Sequence, residues 1–333
     1  RLLLPARLVA PLPRTAHRLA SLGMPSGPVA MEASSGTGVP PAKRAKVCVP
    51  VAARAAMHYQ KVIPGKRTGR YIGMEDGGEL ADVHEDHEVD ICDARALSPS
   101  ALLNTHCFEL RTWPTAVKDF SSDEEVKSDY YKEIESLVKE TTGAERVIVF
   151  DHTLRETTVT RLNSLEAGGA SGPVVRVHTD YSDKSGPKRL RTLAESGGYT
   201  GVRLSPSERD EILGRDFLIV NVWRNIKDEP VQRAPLAMLD PSSVDQADFE
   251  PYEMQYPERT GENYALRFND RHQWFFYPRM EKDECVVFKT YESRHDVPRY
   301  CFHTAFEDPA TSADAPPRCS IEVRCVAVMP SKL

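Results

Sequence analysis

Tyr264–Lys289 reads YALRFNDRHQWFFYPRMEKDECVVFK, and its punctuation decides the fold class. Tyr264–Phe268, Gln273–Tyr277 and Cys285–Lys289 are short runs rich in Val, Phe and Tyr, separated by Asn269-Asp270 and by Pro278. β-branched and aromatic residues suit a pleated, half-buried surface, and Asn-Asp and Pro mark the turns between strands. Working outward, the same texture recurs in Val174–His178, Phe217–Trp223, Leu236–Leu239, Tyr300–Phe306 and Ser320–Val328. Eight such strands predict a mainly β chain with flanking helices and a two-sheet, jelly-roll (cupin-like) core.

Upstream lies a helical preface. Ser122 and Glu125 have the spacing of a capping box, and Val126, Tyr130, Ile134, Leu137 and Val138 follow at helical intervals until Gly143. Arg146–Phe150 (RVIVF) reads as a strand, and the polar interval 178–220 as a helical or looped insertion. Residues 75–93 hold nine acids together with His84 and His87. Glu85 and Asp86 beside those histidines are metal-ligand types, but an acid-rich run reads first as a solvated loop.

The 333 residues fit one large domain or two small ones. Residues 1–47 are Pro-, Ala- and Arg-rich, in the manner of a targeting segment, a disordered tail, or sequence ahead of a start at Met24 or Met31. Residues 48–330 form the expected single domain. Residues 331–333 spell Ser-Lys-Leu, which reads as a peroxisomal address for an import receptor; the basic N-terminus points instead to a plastid or mitochondrion, and cytoplasm is the bland alternative. Residues 1–50 carry seven basic side chains and one acid, a net +6, which leaves −12 on the remainder of a chain of net −6. An acidic body does not suit a nucleic-acid surface. No run reaches the ~18–20 apolar residues of a membrane-spanning helix. Seven scattered cysteines without a C-x-x-C fit a reducing compartment, with neither a disulfide framework nor a zinc finger.

The chemistry concentrates in three places. His178-Thr179-Asp180 ends the apolar run VVRVH, and residues two apart on a strand face the same way. An imidazole and a carboxylate there supply two of the three ligands of a 2-His-1-carboxylate triad, which leaves positions on Fe(II) open for O2 and a co-substrate. His303 lies in the apolar strand FHTAF and is the candidate third ligand, with a core histidine as the alternative. Arg318-Cys319-Ser320 follows 15 residues later. A guanidinium forks onto a carboxylate and a same-face hydroxyl adds a bond, as the far carboxylate of 2-oxoglutarate requires. Arg324 shares the face and is the competing cation. His272, in NDRHQW, reads as a turn or surface residue, and His295, in SRHD, as solvated. The pairs Gly168-Gly169 and Gly197-Gly198 lack the strand–turn–helix context of a nucleotide loop.

With these residues in hand, the chain resembles the AsaB-type hydroxylase/desaturase family, grouped with the CmcJ-like proteins. The likeness runs from about residue 50 to residue 328 through VHTDYSDKSGPKR, FLIVNVWRNIKDEPVQRAPLAMLD, FHTAFEDP and APPRCSIEVR. It implies a double-stranded β-helix and an Fe(II)/2-oxoglutarate-dependent dioxygenase that hydroxylates or desaturates a small organic molecule of secondary-metabolite type. By resemblance, His178, Asp180 and His303 would hold iron, and Arg318 and Ser320 would clamp 2-oxoglutarate. His152, Arg155, Trp223 and Arg224 would line the substrate pocket, with a structural role as the alternative. Asn225 in VWRNI and Cys319 in PRCSIEVR depart from the commoner VWRPI and PRESIEVR. Two rivals remain at this point: a β-barrel that binds a small molecule without turnover, and a methyltransferase-associated pathway protein. The second would call for a glycine-rich nucleotide unit that the sequence does not display.

Overall fold

The computed structural model describes residues 49–159, 170–197 and 201–331. The expectations placed on residues 1–47, on Gly168-Gly169, on Gly198 and on Lys332-Leu333 fall outside those residues. Fifteen strands are described: β1 (Val51–Gln60), β2 (Arg67–Tyr71), β3 (Leu80–Ala81), β4 (His84–Asp93), β5 (Phe108–Thr112), β6 (Arg146–Glu156), β7 (His178–Thr179), β8 (Phe217–Asn225), β9 (Leu236–Leu239), β10 (Phe249–Gln255), β11 (Thr260–Leu266), β12 (Trp274–Phe276), β13 (Glu284–Glu292), β14 (His303–Ala305) and β15 (Cys319–Val328).

They form two sheets with the jelly-roll arrangement expected. The larger runs β1-β4-β12-β9-β14-β7-β11-β10-β2-β3, and the smaller runs β5-β13-β8-β15-β6. Strands far apart in sequence are neighbours at the centre of the large sheet, which sets β14 beside β7 and makes His303 the direct partner of His178.

Period-2 alternation gives the small sheet two different faces. Leu218, Val220, Val222, Cys285, Val287, Ile321, Val323, Cys325 and Ala327 project outward and pack with Ile134, Leu137 and Val138 of the helix Tyr131–Thr142. On the inner face Asn221, Trp223, Ser320, Glu322 and Arg324 alternate with those apolar residues. A bulge between Arg324 and Cys325 shifts the register against β6, so that Asp151 stands opposite Arg324 and Val149 opposite Cys325.

The helix begins and ends as its sequence predicts, with one change. Ser122 Oγ accepts from Glu125 N–H at 3.2 Å, and Gly143 closes the helix at φ 71°. The return half of the capping box is missing: Ser122 N–H already donates to the Asp119 carbonyl, so the Glu125 carboxylate accepts from Lys118 N–H at 2.6 Å instead. A complete box occurs at Ser205 and Glu208, heading Pro206–Leu213. That helix and Ser185–Glu195 fill the insertion expected between 178 and 220.

Two expectations are corrected. The acidic run is a loop only in its first half: His84–Asp93 is a strand, held along its length by β1. Its Val89 and Ile91 face the core on one side and Asp86, Glu88 and Asp90 face outward on the other, and that pattern suits a half-solvated strand. Val174–His178 is regular strand only at its end. Before it, Val177 N–H donates to the His58 carbonyl and the Val174 carbonyl accepts from Ala305 N–H, so the backbone is shared between two neighbours rather than held in one ladder.

At the far edge β2 lies against β10 through Gly69. Its φ is 150°, and a Cβ there would come within 2.2 Å of the Glu253 carbonyl oxygen. Only glycine permits this approach, which sets the position of Arg70.

Candidate metal centre

His178, Asp180 and His303 come together, with one ligand atom from each lying within 4.8 Å of the others. Each histidine is locked by its backbone. His178 Nδ1–H donates to the Arg176 carbonyl at 2.8 Å, and His303 Nδ1–H to the Cys301 carbonyl at 3.1 Å. That tautomer leaves both Nε2 lone pairs free to bind a cation, the usual device by which proteins orient imidazole ligands. The His303 ring also meets Phe288 of the small sheet, edge to face at 4.8 Å, so the group looks inward between the sheets.

The electrostatics suit a divalent cation. Burial, then the proximity of His303 and of the Arg176 guanidinium, hold His178 far below its ordinary range, so it stays neutral as a ligand must. Burial alone would raise the Asp180 pKa, but His303, Arg324, His178 and an Asn221 hydrogen bond together hold it below the usual carboxylate range. Asn221 Nδ2 donates at 2.7 Å to Asp180 Oδ2 and at 2.7 Å to Glu322 Oε1. Two neutral nitrogens and one carboxylate oxygen, each fixed from behind, are the donor set of a facial-triad iron site.

Arg318 and Ser320 lie on the opposite sheet. Arg318 is buried and donates through Nη1 to the Ala234 carbonyl, with its guanidinium 5.6 Å from the Trp223 ring centroid. Its Nε and the Ser320 hydroxyl are buried atoms with no hydrogen-bond partner among the described residues. Burial, then the charge of Arg155, lower the Arg318 pKa to about 10, which leaves a cation at neutral pH. Arg324 differs: its Nε donates to Asp151 Oδ1 at 2.6 Å, so its charge is already matched.

The four residues expected around a substrate divide by face. Arg155 and Trp223 lie on the inner face, opposite Ser320 and Glu322 respectively. His152 and Arg224 project to the other side. His152 Nδ1 is 2.8 Å from the Tyr131 hydroxyl, and Arg224 bonds to Tyr130 at 3.0 Å and to the carbonyls of Trp113 and Lys282. Those contacts belong to the helical layer, away from the triad.

The other histidines take other roles. His84 and His87 stand on β4 outside the cluster, with His87 stacked on Phe268. His272 is corrected from turn or surface to core: its side chain is 1% exposed, with Nδ1 3.0 Å from the Tyr59 hydroxyl. His295 is exposed, as expected. Asn221 and Glu322 escaped the sequence reading. The one available signal was a lone amide in the apolar run FLIVNVW, where an unpaired polar side chain would be costly.

Comparison with known proteins agrees with this geometry. Residues 58–328 match the family model described as an oxidoreductase/YMDC permease-like domain. The Fe(II)/2-oxoglutarate-dependent dioxygenase nvfI of Aspergillus novofumigatus is 31% identical over 247 residues, covering 72% of this chain and 82% of the relative. The hydroxylase/desaturase efuI of Hormonema carpetanum is 28% identical over 260 residues, covering 72% and 82%. The solved structure of the iron and alpha-ketoglutarate-dependent endoperoxidase NvfI superposes with a TM-score of 0.69 at 26% identity, covering 84% of this chain and 98% of that one.

Proposed function

The chain belongs to this oxidoreductase family, and from that premise we propose that it is a non-haem Fe(II)/2-oxoglutarate-dependent dioxygenase that hydroxylates or desaturates a small organic molecule, of the AsaB-type hydroxylase/desaturase class. The observation that carries the reading is the His178, Asp180 and His303 cluster with both Nδ1 atoms committed to carbonyls. The named relatives support the same activity.

Iron, once bound with 2-oxoglutarate, would supply oxidising power from O2; the chain supplies everything else. His178 Nε2, His303 Nε2 and an Asp180 oxygen would hold the metal on one side and leave the other open. Asn221 keeps the Asp180 carboxylate turned toward the histidines by fixing Oδ2. Arg318 and Ser320 would take the far carboxylate of the co-substrate through a charge and two atoms that nothing in the described protein satisfies. Phe288 and Trp223 line the inner face with apolar surface and keep water out.

Anaerobic titration with Fe(II) and 2-oxoglutarate tests this. Wild-type protein should develop the weak visible charge-transfer band of the chelate, and His178→Ala, Asp180→Ala and His303→Ala should each lose stoichiometric Fe(II) while keeping a folded circular-dichroism spectrum. His272→Gln should keep the metal. Iron retained in His303→Ala but lost in His272→Gln would move the third ligand and overturn the site.

A further inference from the structure

Near the triad, buried polar atoms without a hydrogen-bond partner among the described residues fall into two groups. One is Arg318 Nε and Ser320 Oγ, on the small sheet. The other includes Arg176 Nη1, Arg70 Nε, Tyr252 Oη and Asn263 Oδ1, on the large sheet and so far without a role.

The ladders fix where the second group lies. Ala265 pairs with His178, so Asn263, two residues along, shares the face of the triad. Tyr252 pairs with Asn263, and Arg70 pairs with Met254, two residues past Tyr252, on that same face. Arg176 stands two residues before His178, and its guanidinium carbon lies 4.1 Å from the Tyr252 ring centroid. The array adjoins the metal centre, on the sheet opposite Arg318.

Its charge is not balanced. Arg176 is 8% exposed, and Arg70 is near enough to oppose its charge. Of the acids around them, Asp180 belongs to the triad, Asp86 is held by His58 at 2.5 Å, and Glu253 by Arg67 at 2.6 Å. Glu250 accepts from Thr68 at 3.0 Å and lies 3.9 Å from Arg267. Asp82, 3.5 Å from His84 Nε2, is left to face two guanidiniums. A buried cation short of a counter-ion is expensive, and a carboxylate from outside the protein would relieve it.

We propose that Arg176, seated on Tyr252 and backed by Arg70 and Asn263, is a docking subsite for a carboxylate of the organic substrate, so that the enzyme acts on a small carboxylic acid. The guanidinium fork takes a carboxylate in a fixed orientation and would hold the remainder of the molecule beside the metal. The subsite rests on the dioxygenase reading only in naming its ligand the substrate.

Calorimetric titration of the metal-free full chain with benzoate, and with its uncharged isostere benzamide, tests the subsite. Wild-type protein should bind benzoate at least about tenfold more tightly than benzamide, the ratio expected from one charge-assisted bond. Arg176→Gln should lose that preference and Arg318→Gln should keep it. Arg70→Gln, at a half-buried edge position, should weaken it severalfold, and carries the test if Arg176→Gln does not fold. Equal binding of the two probes by wild-type protein would overturn the proposal. So would a preference that survives in Arg176→Gln and disappears in Arg318→Gln, which would assign the anion to the co-substrate clamp. The dioxygenase reading is scored separately by the Fe(II)/2-oxoglutarate band, which should persist in Arg176→Gln. Its absence from wild-type protein, with benzoate preference intact, would remove that reading and leave the subsite standing.

Discussion

The two faces of the five-stranded sheet are built from the same strands and do opposite work. On β15, Ile321, Val323 and Cys325 point to the helix Tyr131–Thr142 and pack in its apolar cluster, with the polar neighbours Arg224 and His152 bonded within the helical layer, while Ser320, Glu322 and Arg324, one residue out of phase, point to the metal centre. The outer face is saturated: its groups are buried against each other and ask for nothing more. The inner face is unfinished, with a hydroxyl and a guanidinium nitrogen buried and unsatisfied. Stability is therefore stored on one side of a strand and binding capacity on the other, at the cost of holding polar atoms out of water until a ligand arrives.

The largest expected contrast in free energy lies on the outer face. Ile321 is fully buried in the cluster beneath the helix. Ile321→Ala should lower unfolding free energy by about 2–5 kcal/mol through lost transfer energy and the cavity left behind. Chemical denaturation measures this, and the 2-oxoglutarate constant of the folded fraction should not move. A large change in that constant would show that the two faces are mechanically coupled.

On the inner face the signs reverse. Arg318→Lys keeps a positive charge but loses the planar fork, so it should weaken 2-oxoglutarate binding about 10- to 100-fold, the equivalent of roughly 1.5–3 kcal/mol for a charge-assisted bond. Fe(II) affinity should change little. Because its pKa stays near 10 in the folded protein, the Arg318 contribution should be flat across neutral pH and fall only as pH rises toward that value. An unchanged constant in Arg318→Lys, with a large loss in Arg324→Lys, would exchange the roles of the two arginines.

How much of this was legible beforehand follows from the range of the interactions. His178 and Asp180 share a face through a two-residue spacing, so their pairing is local and readable. His303 could be suspected only as a histidine in an apolar strand, because its pairing with His178 is a long-range ladder contact. β4 was misread because its acids outnumber Val89 and Ile91, and its partner β1 is rich in alanine, a weak strand signal. His272 looked solvated because the Tyr59 that covers it is 213 positions away. The split of Trp223 from Arg224 was available in principle, since adjacent strand residues face opposite sides, but knowing which side held the metal required the packed sheets.

The smallest effect gives the sharpest comparison, because Ser320 and Ile321 are adjacent in sequence. The Ser320 hydroxyl is fully buried and has no hydrogen-bond partner among the described residues, so the ligand-free protein bears its desolvation without return. Replacing it with alanine removes one oxygen atom and leaves the strand ladder untouched. Ser320→Ala should therefore leave the ligand-free melting temperature unchanged or slightly raised, opposite in sign to Ile321→Ala one residue away. The same change removes the neutral hydrogen bond offered to the co-substrate, worth about 1 kcal/mol, and should weaken 2-oxoglutarate roughly fivefold. Thermal unfolding with and without 2-oxoglutarate measures both halves in one experiment: the ligand-induced stabilisation should shrink while the ligand-free midpoint does not fall. A fallen midpoint with undiminished ligand stabilisation would mean that the hydroxyl serves the fold, and the division of labour between the two faces would not hold at this position.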